Sequence, residues 1–163
     1  MLDGIRHILS NNAGVTALVP AADITPGFRP QSQSLPGVVM EWDGTEATNC
    51  KGATSMMDSC TLRLTAFTQS YADAIAITNA CRAAIDGFSG TALSHQIEQI
   101  VYVSQDDDYF SVDHPIHAIT ASYTVMIKRV GEVPTPDCPD AGGDADGGTA
   151  SSTYDDTLDG GGA

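Results

Sequence analysis

The sequence predicts an α+β fold: a mainly antiparallel sheet of four or five strands, two helices packed on one face, and an acidic Gly/Asp-rich C-terminal tail. Three observations predict it. Apolar and polar residues alternate in two runs, 60–66 and 119–127, which is the period of a strand with one buried face. Two other segments, near the N-terminus and over 70–87, space their apolar residues as helices do. The strand candidates follow one another through short polar links, which antiparallel neighbours permit and parallel ones do not.

The elements follow in chain order. Leu2, Ile5, Ile8 and Leu9 share one helical face, Asp3 sits in the first turn, and Asn11, Asn12 and Gly14 supply the stop. A helix over about 2–12 follows, and Val15 to Val19 add a turn ended by Pro20. Asp23, Ile24 and Thr25 start a strand that Pro26, Gly27 and Pro30 interrupt, and residues 31–34 form a polar loop. Residues 37–43 make a clearer strand, with Val38, Met40 and Trp42 on the parity that goes to the core. Residues 44–58 lack periodicity and read as a long loop or a loose hairpin tip. In 60–66, Cys60, Leu62, Leu64 and Ala66 alternate with Thr61, Arg63 and Thr65.

The strongest helix is placed at 70–87. Ser70 and Asp73 are spaced as a capping box, with Asp in the place of Glu. Ile77, Cys81, Ala84, Ile85 and Phe88 form its apolar stripe, bordered by Ile75, and Gly87 and Gly90 provide the exit. A strand over 97–103 leads to a polar turn or bulge at Gln105, Asp106, Asp107 and Asp108. Asp113, His114 and Pro115 make a second break before a long final strand over 116–129.

Charge divides the chain. The 163 residues carry 7 basic and 21 acidic side chains, a net charge of −14. Residues 132–163 hold 8 of the acids, no base and 7 of the 16 glycines. Such a stretch cannot bury enough apolar surface to offset an ordering entropy of roughly 1–2 kcal/mol per residue. A domain over 1–131 and an extended or disordered tail over 132–163 are expected. The negative charge argues against gripping phosphate backbones. No apolar run is long enough for a membrane span, and residues 1–7 lack the basic start of a secretory signal. Cysteines at 50, 60, 81 and 138 form no CxxC pair, so neither a disulfide framework nor a zinc finger is expected.

Candidate chemistry is sparse. Asp106, Asp107 and Asp108 could hold a divalent cation, but consecutive side chains on extended chain point alternately, and no EF-hand glycine or Glu is in place. A solvated turn is the better reading. His114 and His117 lie an odd number of residues apart on extended chain and fall on opposite faces. His7 and His95 stand alone. Cys60 and Cys81 sit on apolar faces as small hydrophobes, and Cys50 has only Lys51 beside it as an activating charge. There is no G-x-S-x-G and no P-loop. Met56 and Met57 would suit an adaptable contact surface, or equally be buried by a loop that folds back over them. No catalytic, cofactor-binding or metal-ligating residue is expected, and the chain is not read as an enzyme. The expected chemistry is contact. The candidate interface residues are Cys50, Lys51, Met56 and Met57 in one segment, and Gln105, Asp106, Asp107, Asp108, Tyr109 and His114 in the other.

The order of elements carries a resemblance. The residues are Ile5 to Leu9, Ala17-Leu18-Val19, Asp23-Ile24, Pro36-Gly37-Val38-Val39 and Cys60 to Phe67. Tyr71-Ala72-Asp73-Ala74, a helix to Ile85, an Asp-rich break and the closing strand complete it. Over about 2–129 the chain resembles the tail completion, or tail terminator, proteins of long-tailed bacteriophages; residues 132–163 depart from that pattern. The resemblance implies a structural virion protein assembled in a bacterial cytoplasm. It implies a homo-oligomeric ring, a hexamer, that caps the tail tube protein, ends its polymerisation and joins the head or neck connector proteins. DNA would pass through the lumen without specific binding, with no membrane and no cofactor involved. The readings left beside it are another neck or tail component, adaptor or tube subunit; a metal-dependent enzyme on Asp106–Asp108 and His114; and an acidic mimic of DNA.

Overall fold

A computed structural model of the protein describes residues 1–29, 34–48, 57–109 and 116–128, with backbone only at 108 and 109. Helix α1 spans Leu2–Ser10 and a short α2 spans Ala13–Thr16, capped by the Asn12 side chain, which accepts from the backbone of Gly14 and Val15. A 3₁₀ turn at Ala21–Asp23 leads into strand β1, Ile24–Pro26. Strands β2, Gly37–Ala47, and β3, Met57–Thr68, precede helix α3, Tyr71–Ile85. Strands β4, Gly90–Ala92, β5, His95–Tyr109, and β6, His117–Lys128, close the chain.

The six strands form one sheet in the order β1-β2-β3-β6-β5-β4. Every pairing is antiparallel except β1 with β2, which is parallel. The α+β class and the helix-covered face stand as expected. Two details differ: the sheet has six strands, and one pairing is parallel. Pro26 ends β1 after three residues, but three residues suffice to pair Ile24, Thr25 and Pro26 with Val38, Val39 and Met40. A proline is tolerated on such an edge.

The alternation seen in the sequence is the face of the sheet. Cys60, Leu62, Leu64 and Ala66 lie opposite Val125, Tyr123, Ala121 and Ile119 and point at the helices. There they meet Ile5 and Leu9 of α1, Val15 and Val19, and Ile77, Cys81 and Ile85 of α3 in one buried cluster. α1 touches strands at both ends of the sheet, β1 and β4, so the sheet curls around the helical layer. Gly4 makes that possible: a Cβ there would stand 3.0 Å from the carbonyl oxygen of Ala92. Trp42 is half-buried on the core side and its Nε1–H donates to Thr45 Oγ1 at 3.0 Å.

Three local expectations need correction. Both ends of the segment read as a long loop or loose hairpin tip are strand: β2 continues through Ala47, and β3 begins at Met57. A register shift between Trp42 and Thr45, with Gly44 at φ +89°, hides the periodicity. The polar turn at Gln105–Asp108 is instead the continuation of β5, in which Asp106, Asp107 and Asp108 pair with Thr120, Ile119 and Ala118. β5 has no described strand outside it at this point, so acids there keep their water. The capping box has its position but lacks its bond. Ser70 is the N-cap of α3 with no side-chain capping bond, and its carbonyl accepts from Thr68 Oγ1 at 2.5 Å. Residues 132–163, and with them the expected tail, lie outside the described residues, as do Cys50, Lys51, Met56, His114 and Cys138.

Candidate functional site

The expected contact residues divide. Gln105 is half-buried in β5, Asp106 and Asp107 are exposed, and Met57 is half-buried at the start of β3, opposite Lys128. Asp108 and Tyr109 continue the β5 ladder opposite Ala118 and His117. Asp107 is tied down: the Tyr71 hydroxyl donates to its Oδ2 at 2.6 Å, and the Tyr71 ring stands edge-on to His117 with centroids 6.0 Å apart. That bond to Asp107, first of its causes, pushes the Tyr71 hydroxyl above its ordinary pKa. The start of α3 is thereby fixed to the acidic stretch of β5.

The face of the sheet turned away from the helices is built by the residues of opposite parity. A cleft of about 450 Å³ lies on it, lined by Val39, Thr65, Phe67, Thr120 and Ser122, with Glu41, Arg63 and Asp106 as its charges. Thr65 and Thr120 share a hydroxyl hydrogen bond of 2.9 Å, and Arg63 bridges Asp43 at 2.8 Å. Hydroxyls and carboxylates dominate this face. The Arg29 guanidinium lies over the Phe67 ring, 5.9 Å from its centroid.

Both ends of the sheet are open over part of their length. Among the described residues, β1 covers β2 only at 38–40, leaving 41–47 without an outer neighbour. β4 covers β5 only at 95–97, the turn after α3 covers Ile100 through Gly87 and Phe88, and Asp86 Oδ1 takes the Tyr102 N–H; among the described residues, 103–109 follow without an outer neighbour. Exposed apolar groups stand at both ends: Phe28 is 74% exposed just past β1, and Val103 and Val101 are 60% and 40% exposed on β5.

These three apolar residues were missed by sequence reasoning, for a physical reason. Register shifts between Ile97 and Gln99 and between Tyr102 and Ser104 move the inward parity along β5. Ile100 and Tyr102 therefore turn inward while Val101 and Val103 turn out, although an unbroken alternation from Ile97 would bury both valines. Nothing in the run Ile100-Val101-Tyr102-Val103 announces the two bulges.

The two described cysteines are not activated thiols. Burial pushes the Cys81 thiol up to about 12 and raises the Cys60 thiol as well, so both stay protonated near neutrality. Both are buried in the core, as their apolar surroundings predicted. Among the described residues, no three of His, Cys, Asp and Glu converge as a metal site would require.

Comparison with known proteins adds two findings. The family model described as Tail completion protein gp17 matches residues 3–127. A chain in the solved virion of a native gene transfer agent particle has the same fold, with a TM-score of 0.60 at 13% sequence identity. That likeness covers 76% of this chain and 91% of the other. No curated protein matches the chain.

Proposed function

The chain belongs to the tail completion family of the gp17 type and is a phage tail structural protein, and from that premise we propose that its copies close into a ring on the end of the tail tube. The ring, of six copies by the family resemblance, ends tube polymerisation and offers its other side to the head or neck connector proteins. DNA crosses the lumen. The observation that carries this reading is the extent of the family match: residues 3–127 reach every strand and helix described here, from α1 to β6, short of one residue at each end.

The residues suit the work. A ring of identical copies needs heterologous contacts, one surface meeting a different one, that close by rotation. A sheet open at both ends supplies two such surfaces. A conduit must not hold its cargo, and the hydroxyl-rich uncovered face, with Glu41, Asp43 and Asp106 around Arg63, offers little to phosphate. We assign this face to the lumen.

Negative-stain microscopy and native mass measurement of the purified chain test the reading. Closed rings of one stoichiometry are expected. Long tubes would overturn it in favour of a tube subunit, and a monomer at every concentration would overturn it outright.

A further inference from the structure

We infer that the outer edge of β5 over residues 103–107, with the exposed Val101 side chain beside it, is the docking edge for the Phe28 end of a second copy of this chain. The inference rests on the ring proposed above and names the contact that closes it.

The ladders place the two surfaces level with each other at opposite ends of one sheet. Met40 of β2 pairs with Leu64, Leu64 with Ala121, and Ala121 with Gln105 of β5. One row further, Trp42 connects through Leu62 and Tyr123 to Tyr102. Gly27 donates its N–H to the Met40 carbonyl, so Phe28 leaves the sheet at these rows. At the far end the same rows carry Val101 and Val103. A neighbour continued along the sheet would bring its Phe28 against those two valines, joining the largest exposed apolar group at one end to the exposed pair at the other. Phe28 follows Gly27 at φ +82°, a conformation that turns the chain away from β2 and leaves the ring outside.

Charge fits the same arrangement. The β1 end carries Arg29, whose guanidinium lies over Phe67 on the uncovered face. The β5 end carries Asp106 on that same face, while Asp107 turns to the helix side, where it accepts from Tyr71. Arg29 at one end and Asp106 at the other attract between successive copies, against the exposed carboxylates Glu41 and Asp43 that share the β1–β2 end. The strand sense also agrees. β1 runs with β2, and β5 runs against it, so β5 of one copy meets the β1 end of the next in the antiparallel sense. The chain's own acidic segment 132–163 is a poor occupant of this edge, because Asp106 and Asp107 repel it.

The test uses the full chain with Cys50→Ser and Cys138→Ser, into which Phe28→Cys and Val103→Cys are introduced together. Native mass measurement of the Cys50→Ser, Cys138→Ser parent, with Phe28 and Val103 intact, first records whether rings form. Mild oxidation should then give a ladder of covalent multimers on a non-reducing gel, rising to the ring number. Neither single variant should give a ladder. Rings without a ladder in the double variant overturn the assigned contact and leave the ring standing. A parent chain that stays monomeric overturns the ring and the contact together, whereas a ring-forming parent whose double variant is monomeric before oxidation supports the contact. Dimers from Phe28→Cys alone overturn the assignment by showing like ends in contact. Val103→Cys with Cys138 retained should give no intrachain disulfide; a 103–138 disulfide would show the chain's own C-terminal segment on the edge and overturn it too.

Discussion

Arg82 and Asp86 hold β5 to the end of α3 by two interactions and brace each other by a third. The Arg82 guanidinium lies 3.7 Å above the Tyr102 ring, its Nε sits 3.3 Å from Asp86 Oδ2, and Asp86 Oδ1 accepts the Tyr102 backbone N–H at 3.0 Å. That N–H is the largest cause holding the Asp86 carboxyl below its ordinary pKa, with Arg82 adding to it. A carboxyl depressed in the folded state stabilises fully above its unfolded value of about 3.9 and loses that contribution as pH falls through the folded one. Asp86→Asn should therefore lower the urea midpoint at pH 7 and leave a smaller difference at pH 2–3; an equal deficit at both would remove the ionic account. Tyr123 makes the opposite case. Its side chain is fully buried, its hydroxyl has no described partner, and burial is the first cause of its raised pKa. An unpaired buried hydroxyl costs about 1–3 kcal/mol of desolvation. Tyr123→Phe should thus be neutral or stabilising by up to ~1 kcal/mol in chemical denaturation, whereas Tyr123→Ala should cost about 3–5 kcal/mol through the cavity it leaves against Tyr102.

Elements with clean periods were legible. β3, β6 and α3 stand within a few residues of expectation because their buried faces repeat without interruption: Leu62 and Leu64 on β3, Tyr123 and Val125 on β6, Ile77 and Cys81 on α3. β1 was half visible, since Ile24 and Thr25 look like strand but Pro26 and Gly27 stop the pattern before it declares a partner. β5 was read short because Asp106 to Asp108 are poor strand formers, and only the antiparallel partner β6 makes them strand. The candidate site was legible in one respect: Gln105 to Asp107 lie on the open edge, where exposed acids belong. Phe28, Val101 and Val103 were not, because bulges and strand order decide their exposure, and a local pattern carries neither. The contact of α1 with β4 was equally hidden, and it gives a test of element packing. Gly4→Val places carbon where the Ala92 carbonyl already stands at 3.0 Å. It should cost about 1–3 kcal/mol through overpacking, read as a lower thermal midpoint, and hydrogen exchange should quicken in β4 and α1 before β3. Uniform quickening would mean that α1 and β4 do not form a separable unit.

A molecule with net charge −14 has to assemble against its own repulsion. Within a proposed ring, each copy brings its acids toward those of its neighbours, while the favourable contact at each joint is apolar with one opposite-sign pairing, Arg29 toward Asp106. Salt acts on both electrostatic contributions. It weakens the single attraction, and it also weakens the many repulsions, which act over longer distances and are therefore screened more completely: the Debye length falls from about 30 Å at 0.01 M to about 8 Å at 0.15 M. Apolar contact between Phe28 and the two valines is left intact by such salt. Association should accordingly strengthen as sodium chloride rises from about 0.01 to 0.3 M, seen as growth of the ring species in light scattering or sedimentation velocity. Removing residues 132–163, which carry 8 acids and no base, should flatten that dependence and strengthen association at the lowest salt. Tightest association at the lowest salt would reverse the argument: the joints would then be held by attraction between charges, and Arg29 with Asp106 would matter more than Phe28 with Val103.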